Sequence, residues 1–235
     1  MDARDTTVDS TRAGDTQFLF WGGIAALVLV AGYLIIIPLF AHVGAPPNGA
    51  EAWFKYLPGK TSIWWVILGL SVFTDLLYIP VALALYLVLK AVNRNVVLLA
   101  AVFMGMFVVL DLAITWAHYA SILKLYADFA ASADNAHRAA CLAAAECAAA
   151  VLATPMEIFY AIVTASIGVL LAGFVMLKSE FGKVAAYLGI ATGVLGLLAL
   201  TGSYMVIIAN ALSGTVWFLL VGIRLLKLAR VWPMK

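Results

Sequence analysis

Two aspartates lie inside long apolar stretches of this sequence, where an ionised side chain is costly. Asp75 lies within SVFTDLLYIP and Asp111 within VVLDLAITWAH, each near the middle of its apolar run. If these runs cross a lipid bilayer, each charged aspartate at a helix centre costs about 2.5–3.5 kcal/mol. Carboxylates in that position tend to face a bundle interior or water and to take part in function. No Lys or Arg lies at their depth, so we expect one or both to hold a proton at neutral pH.

Helical spacing places further polar side chains beside the two aspartates. Together with a glutamate of the following helix, they form a candidate polar site of Ser71, Asp75, Tyr78, Asp111, Thr115, His118 and Glu157. We expect these residues to line a vestibule open to the outside. The alternative is that each carboxylate is a protonated packing group bonded to a neighbouring hydroxyl or carbonyl. Pro80 frees the carbonyl of Leu76 next to Asp75, a feature that transporters use and that ordinary membrane helices also tolerate.

The composition explains why lipid is the expected solvent of these elements. Of the 235 residues, 66% are apolar and 11% are charged, whereas soluble domains carry roughly 25% charged residues. A soluble fold of this composition would leave large apolar patches in water. We therefore expect an all-α, polytopic membrane protein whose first partner is the lipid bilayer. The net charge of +2 and the lack of a basic patch argue against a nucleic-acid partner.

Six stretches are long and apolar enough to be membrane helices, because one crossing needs about 20 residues. After a polar tail at residues 1–16, they span residues 18–42, 62–89, 96–121, 153–177, 184–202 and 206–228. The first stretch is longer than the core of a signal peptide, so we expect it to be retained. The turn between the last two helices falls either at 201–203 or at 210–214, and both alternatives remain open.

The distribution of Lys and Arg predicts that both termini face the cytoplasm. One side holds Arg4, Arg12, Lys90, Arg94, Lys178, Lys183, Arg224, Lys227, Arg230 and Lys235, and the other holds Lys55, Lys60, Lys124 and Arg138. Ten against four follows the rule that cytoplasmic loops carry the basic excess. We expect four tryptophans near helix ends to lie at the membrane interfaces: Trp64, Trp65, Trp116 and Trp232.

The Ala-rich segment 121–152 is predicted to form an outer helical hairpin. Alanine is the strongest helix former, and a break near residues 132–135 separates two helical arms. The alternative is an amphipathic piece that lies on the outer surface. Glu146 and Glu157 share a face if the helix continues between them, and Pro155 is a candidate kink at the membrane surface.

Three blocks of sequence carry a resemblance to a known family. They read VALALYLVLKAVNRNVVLLA from residue 81, GVLLAGFVMLKSEFGKVAAYLGIATGVLGL from residue 168 and VWFLLVGIRLL from residue 216. These blocks resemble a family of six-helix bacterial membrane proteins catalogued as a domain of unknown function, number 4386. The resemblance implies a six-helix topology and a bacterial plasma membrane. It implies no activity and assigns no site residue.

Motifs of metal, phosphate and thiol chemistry are missing, so no metal and no cofactor is predicted. The sequence has no His-Glu-x-x-His, no glycine-rich phosphate loop and no Cys-x-x-Cys. Cys141 and Cys147 would point about 120° apart on one helix, which disfavours a disulfide between them.

Three functions remain open from the sequence. The first is a small-solute or proton-coupled transporter that uses the intramembrane carboxylates and binds a small molecule or an ion. The second is a non-catalytic membrane module that senses lipid or assists a partner. The third, which we favour least, is an intramembrane enzyme in which Asp111, His118 and Glu157 converge. The oligomeric state is not indicated.

Overall fold

The predicted all-α fold is confirmed by a computed structural model of the chain. The structure describes the backbone of residues 3–231 and the side chains of residues 15–231, and every regular element in this range is helical. Most of the predicted polar tail at residues 1–16, including the side chains of Arg4 and Arg12, lies outside the described residues. Trp232 and Lys235 also lie outside them.

The first half of the chain contains five α-helices and one π-helix. They are α1 Ala3–Val43, α2 Ala50–Tyr56, α3 Thr61–Leu76, α4 Tyr78–Leu110, a π-helix at Asp111–Trp116 and α5 Ala117–Ala131. The second half contains α6 Asn135–Leu152, α7 Pro155–Ile158, a π-helix at Phe159–Val163, α8 Thr164–Met176, α9 Lys183–Leu198, a 3-10 turn at Ala199–Thr201 and α10 Tyr204–Val231.

Five helical segments of the described chain are long and apolar enough to cross a membrane, and one of them contains a turn. The segment Thr61–Ala131 has 71 residues, far more than the roughly 20 that one crossing needs. Its backbone leaves the helical region at Asn93, where φ is −156° and ψ is 94°. The Asn93 side chain accepts a hydrogen bond from the Val96 amide at 3.2 Å, as an N-cap does. The segment thus consists of two antiparallel helical arms that meet at Asn93, each long enough for one crossing.

The turn between the last two helices lies at the first of the two positions that the sequence left open. After the 3-10 turn, Gly202 adopts the left-handed conformation with φ +71°, which glycine adopts without a steric penalty. α10 then begins at Tyr204 and continues without a break through Asn210 and Gly214.

The α5–α6 hairpin and the short helix α2 form one end of the molecule, which we call the outer end. Asp134 caps α6 by accepting hydrogen bonds from the amides of Ala136 and His137. Glu146 of α6 then accepts a hydrogen bond from the Ala50 amide at 2.8 Å, and this bond ties the hairpin to the start of α2. The opposite end, with the Asn93 turn and the loop between α8 and α9, is the inner end.

The hairpin is separated from the fourth membrane helix. α6 ends at Leu152, and Pro155 is the first residue of α7, a position where its missing amide has no helical partner to lose. Because the helix does not continue through residues 153–154, the condition for Glu146 and Glu157 to share a face is not met. Glu146 contacts α2 instead.

The Tyr56 side chain forms a hydrogen bond with the last residue of α1 at the outer end. Its hydroxyl donates to the Val43 carbonyl at 2.8 Å, and the Lys60 amine donates to the same carbonyl at 3.0 Å. Partial burial raises the pKa of the Tyr56 hydroxyl, so the hydroxyl keeps its proton for this bond. A cation at the carboxyl end of a helix also opposes the negative end of the helix dipole.

Replacing Glu146 with Ala is expected to loosen α2. The loss of a hydrogen bond between a carboxylate and a backbone amide should cost about 1 kcal/mol, at the lower end of the range because Glu146 is exposed. Hydrogen exchange of residues 50–56 measures the effect. Asp128→Ala removes another carboxylate of the hairpin, whose side chain is 40% exposed and forms an ion pair with Lys124, and should leave that exchange unchanged. Equal exchange in both variants would show that the Glu146 bond does not hold α2.

Candidate functional site

The fold brings Asp75 and Asp111 to a single hydrogen-bond donor. The Trp116 indole Nε1 donates to Asp75 Oδ2 at 2.8 Å and to Asp111 Oδ2 at 3.0 Å. Because both oxygens bond the same nitrogen, they lie within about 6 Å of each other. Each aspartate is only 3% exposed. The described part of the chain therefore contains a buried carboxylate pair that joins α3 to the helix after the Asn93 turn.

The π-helix at Asp111–Trp116 makes this geometry possible. In a regular α-helix, residues five apart point about 140° away from each other. A π-helix closes its hydrogen bonds from residue i to residue i+5 and so brings such residues to one face. Trp116 thereby reaches back to Asp111 while its nitrogen also faces Asp75.

The helix tightens on the other side of the pair, next to Asp75, while Leu77 keeps helical dihedrals, with φ −71° and ψ −16°. α3 ends at Leu76, and the Leu77 amide bonds the Thr74 carbonyl at 3.1 Å in a tight turn. α4 then begins at Tyr78, so Pro80 occupies its first turn, where proline is tolerated. Thr74 is fully buried, and its hydroxyl donates to the Ser71 carbonyl at 2.9 Å. Ser71, which is 4% exposed, therefore contributes its backbone rather than its hydroxyl to a hydrogen bond.

Tyr78 extends the polar chain towards α1. Its hydroxyl lies 3.1 Å from that of Tyr33, and its ring packs against Phe107 and Phe218, with centroids 4.7 and 4.9 Å away. The phenol pair thus links the first membrane helix to the second.

Two polar atoms of the site have no hydrogen-bond partner among the described side chains. Asp111 Oδ1 and Thr115 Oγ1 are both buried without a hydrogen bond of good geometry, although the Thr115 hydroxyl lies close to the Asp111 carboxyl. They are one turn apart on the same helix. A buried polar atom without a partner costs roughly 1–3 kcal/mol, so this part of the site has unused capacity to bind a proton or a polar ligand.

His118 and Glu157 do not join the aspartate pair. His118 Nδ1 bonds the Ile114 carbonyl of its own helix. Glu157 lies in α7, and within residues 15–231 no hydrogen bond or ion pair connects either side chain to Asp111. Glu157 does lie close enough to Asp111 for the two carboxylates to repel each other, but the described residues show no hydrogen-bonded convergence of the three side chains, as an intramembrane enzyme would need. Nor does the described chain group three His, Cys, Asp or Glu side chains as a metal site.

An aromatic cluster covers the outer side of the aspartate pair. Trp116 packs against Tyr119, Tyr119 stacks on Trp64 with centroids 5.3 Å apart, and Trp64 contacts Trp53. The prediction that a vestibule opens to the outside at Asp75 and Asp111 is wrong for this conformation, because both are 3% exposed beneath these rings.

Two of the tryptophans predicted at the interfaces lie inside the bundle. Trp64 is fully buried and Trp116 is 9% exposed, whereas Trp65 is 43% exposed; the depth of all three in a membrane stays a prediction. Trp116 is the main site residue that the sequence did not reveal, since regular helical spacing turns it away from Asp111. Tyr33 was missed because nothing in its own sequence neighbourhood indicates its contact with Tyr78.

These features define a class: a multi-pass helical membrane protein with a buried carboxylate pair held by one indole. No protein-family model, no curated protein and no solved structure matches the chain. The resemblance noted from the sequence therefore stays a prediction.

Proposed function

We propose that the protein is a proton-coupled carrier of a small solute, in which Asp75 and Asp111 bind the coupling proton. The supporting observation is the single indole donor shared by two buried carboxylates. Its location in a bacterial plasma membrane, and its membership of the family that the sequence resembles, belong to the same proposal.

The chemistry of the pair favours a proton over a fixed double negative charge. Two carboxylates at this separation repel each other in a dry site, and an uncharged indole cannot neutralise them. One proton removes a charge and also provides a donor. Placed on Asp111 Oδ1, it can donate to Thr115 Oγ1, which would pair the two orphaned atoms. When this proton is lost, the two carboxylates repel each other again. Protonation therefore favours a shorter distance between α3 and the π-helix at Asp111–Trp116.

Three structural features allow the two helices to move relative to each other when the carboxylate pair gains or loses its proton. The helical hydrogen bonds tighten at Leu77 beside Asp75, and the π-helix at Asp111–Trp116 carries the second aspartate. This π-helix contacts the one at Phe159–Val163, and π-helical segments occur frequently at functional sites. In this proposal, the structure with the aromatic cluster closed over the pair is the occluded state. Separation of the aromatic rings from one another would open the site to the outside.

Proton binding is tested without knowledge of the solute. The purified protein in detergent is titrated from acidic to alkaline pH, and the protons released are counted by calorimetry and by infrared bands of protonated carboxyl groups. The wild-type protein is expected to release two protons that the Asp75→Asn/Asp111→Asn double variant does not, and the second should leave at a higher pH than the first because the remaining charge opposes its loss. A variant with the same proton count as the wild type would refute the proposal.

Transport is tested in vesicles with a pH gradient. Uptake from a pool of radiolabelled small solutes should collapse at least tenfold in Asp75→Asn or Asp111→Asn. Asp128→Asn is the matched control, because Asp128 lies in the α5–α6 hairpin, forms an ion pair with Lys124 and should retain uptake when it is replaced. Uptake that persists in both aspartate variants would contradict coupling through the pair.

A non-catalytic membrane module is the second candidate. The observation in its favour is that the pair is buried and bonded to Trp116 beneath an aromatic cluster, as a structural link between helices would be. This alternative predicts that the aspartate variants change stability and that no solute uptake depends on either aspartate.

A further inference from the structure

The inner end of the molecule has a groove that the proposed carrier mechanism does not use. It has a volume of about 140 Å³ and opens between the start of α9 and the end of α10. Its apolar lining includes Phe181, Val184, Leu220 and Ile223, and its charged lining consists of Arg224 and Lys227. We infer that this groove binds the phosphate headgroup of an anionic phospholipid through Arg224 and Lys227.

The two cations of the groove lack acidic partners. Neither Arg224 nor Lys227 takes part in an ion pair within residues 15–231. The Arg224 Nε atom is buried and has no hydrogen-bond partner there. A buried guanidinium nitrogen without an acceptor is unfavourable, and the planar donor fork of arginine suits a phosphate. Glu180 lies in the adjoining loop but does not line the groove.

The start of α9 adds further donors on the same side. Its N-cap is Gly182, which has no side chain to cap the helix. The first amides of a helix need acceptors, and the positive end of the helix dipole favours an anion. This feature supports an anionic headgroup, while the groove and the two unpaired cations carry the inference.

The apolar surface around the groove favours a lipid over free phosphate. Val184 is 73% exposed and Ile223 is 40% exposed, and both line the groove beside the cations. An acyl chain can lie on such side chains while its phosphate meets the basic residues. Basic pockets between membrane helices near the cytoplasmic surface bind anionic lipid headgroups in this manner. The predicted orientation places this end of the helices at the cytoplasmic leaflet.

The test measures the binding of a fluorescent phosphatidylglycerol to the purified full chain in detergent micelles, with phosphatidylcholine as the zwitterionic reference. Near a membrane, each basic residue contributes about a fivefold gain in affinity. We therefore expect Arg224→Gln/Lys227→Gln to weaken phosphatidylglycerol binding at least tenfold and to leave phosphatidylcholine binding unchanged. The double variant Lys90→Gln/Arg94→Gln removes the same charge from the exposed Asn93 turn of the inner end and should bind as the wild type does.

Each other outcome overturns the inference. Equal losses in the two double variants would mean that only general surface charge attracts the lipid. Equal binding of the two phospholipids would exclude a headgroup site, and full competition by inorganic phosphate at low millimolar concentration would assign the groove to free phosphate. If Arg224→Gln proves unstable, Lys227→Gln alone decides the matter, because Lys227 is exposed and about a fivefold loss is expected from it.

Discussion

Replacing Trp116 with Phe is expected to lower the free energy of unfolding by about 2 kcal/mol. Single hydrogen bonds between membrane helices contribute about 0.6 kcal/mol on average and about 1.7 kcal/mol at most. Here one donor serves two buried acceptors on two helices, at 2.8 and 3.0 Å. Its loss leaves both Asp75 Oδ2 and Asp111 Oδ2 without that bond, so the effect should reach or pass the upper value. Reversible unfolding in mixed detergent micelles measures it.

Two controls separate the hydrogen bonds of Trp116 from the packing of its ring. Trp65→Phe removes the indole nitrogen of a tryptophan that is 43% exposed, and it should change stability by less than about 0.5 kcal/mol. Trp116→Phe is also made in the Asp75→Asn/Asp111→Asn background, where the amides bring donors of their own. There it should have less than half of its effect in the wild type. An equal effect in both backgrounds would show that the ring, and not its bond to the pair, stabilises the helices.

The sequence is sufficient to place the two aspartates on neighbouring helices but not to reveal what holds them. Asp75 and Asp111 lie at equal distances along the chain from Asn93, so a hairpin with its turn there brings them side by side. The π-helix cannot be read from a regular helical period, because it depends on contacts with neighbouring helices. Trp116 therefore looked like an interfacial residue, whereas it is 9% exposed and bonded to both carboxylates.

The candidate residues beyond the pair show a second limit of helical spacing. His118 was placed with Asp111 by counting along one regular helix, but the π-helix between them changes the register, and His118 bonds its own backbone. The shared face predicted for Glu146 and Glu157 assumed a continuous helix. The helix is interrupted at residues 153–154, so the orientation of α7 does not follow from that of α6. A local pattern predicts a shared helix face only where the helix is regular and continuous.

The positions of the turns could be predicted from the sequence to within a few residues, because a turn depends on residue types that lie next to each other in the chain. Asn93 caps the helix that follows it, and Gly202 adopts a left-handed conformation between the last two helices. The alternative at residues 210–214 contains Asn and Gly as well, so composition alone could not decide. In the structure, Asn210 instead donates to the Thr192 carbonyl at 2.8 Å, which is a contact between helices that no local pattern contains.

Replacing Gly193 with Ala is expected to destabilise the α8–α9 contact by about 3 kcal/mol. A Cβ atom at this position would lie 2.4 Å from Leu170 Cβ, 2.8 Å from Leu170 Cα and 2.9 Å from the Ser166 carbonyl oxygen. Two of these atoms belong to the backbone, so the helices must separate to make room. Small residues allow membrane helices to approach this closely, and overpacking costs about 1–3 kcal/mol or more. Unfolding in mixed micelles measures the loss. Gly105→Ala is the matched control, because a Cβ there meets nothing within 4 Å.

Gly196 allows the same packing argument to be tested by compensation. A Cβ on Gly196 would lie 1.8 Å from Ser166 Oγ and 2.2 Å from Ser166 Cβ, so Gly196→Ala should also be strongly destabilising. Both clashing atoms belong to one side chain, and Ser166→Gly removes them. The double variant Gly196→Ala/Ser166→Gly should therefore be more stable than Gly196→Ala alone, even though Ser166→Gly introduces a helix-weakening glycine. Gly193→Ala should gain nothing from Ser166→Gly, because it clashes with the Ser166 carbonyl and with Leu170. Rescue of both glycine variants, or of neither, would contradict a close α8–α9 contact at these positions.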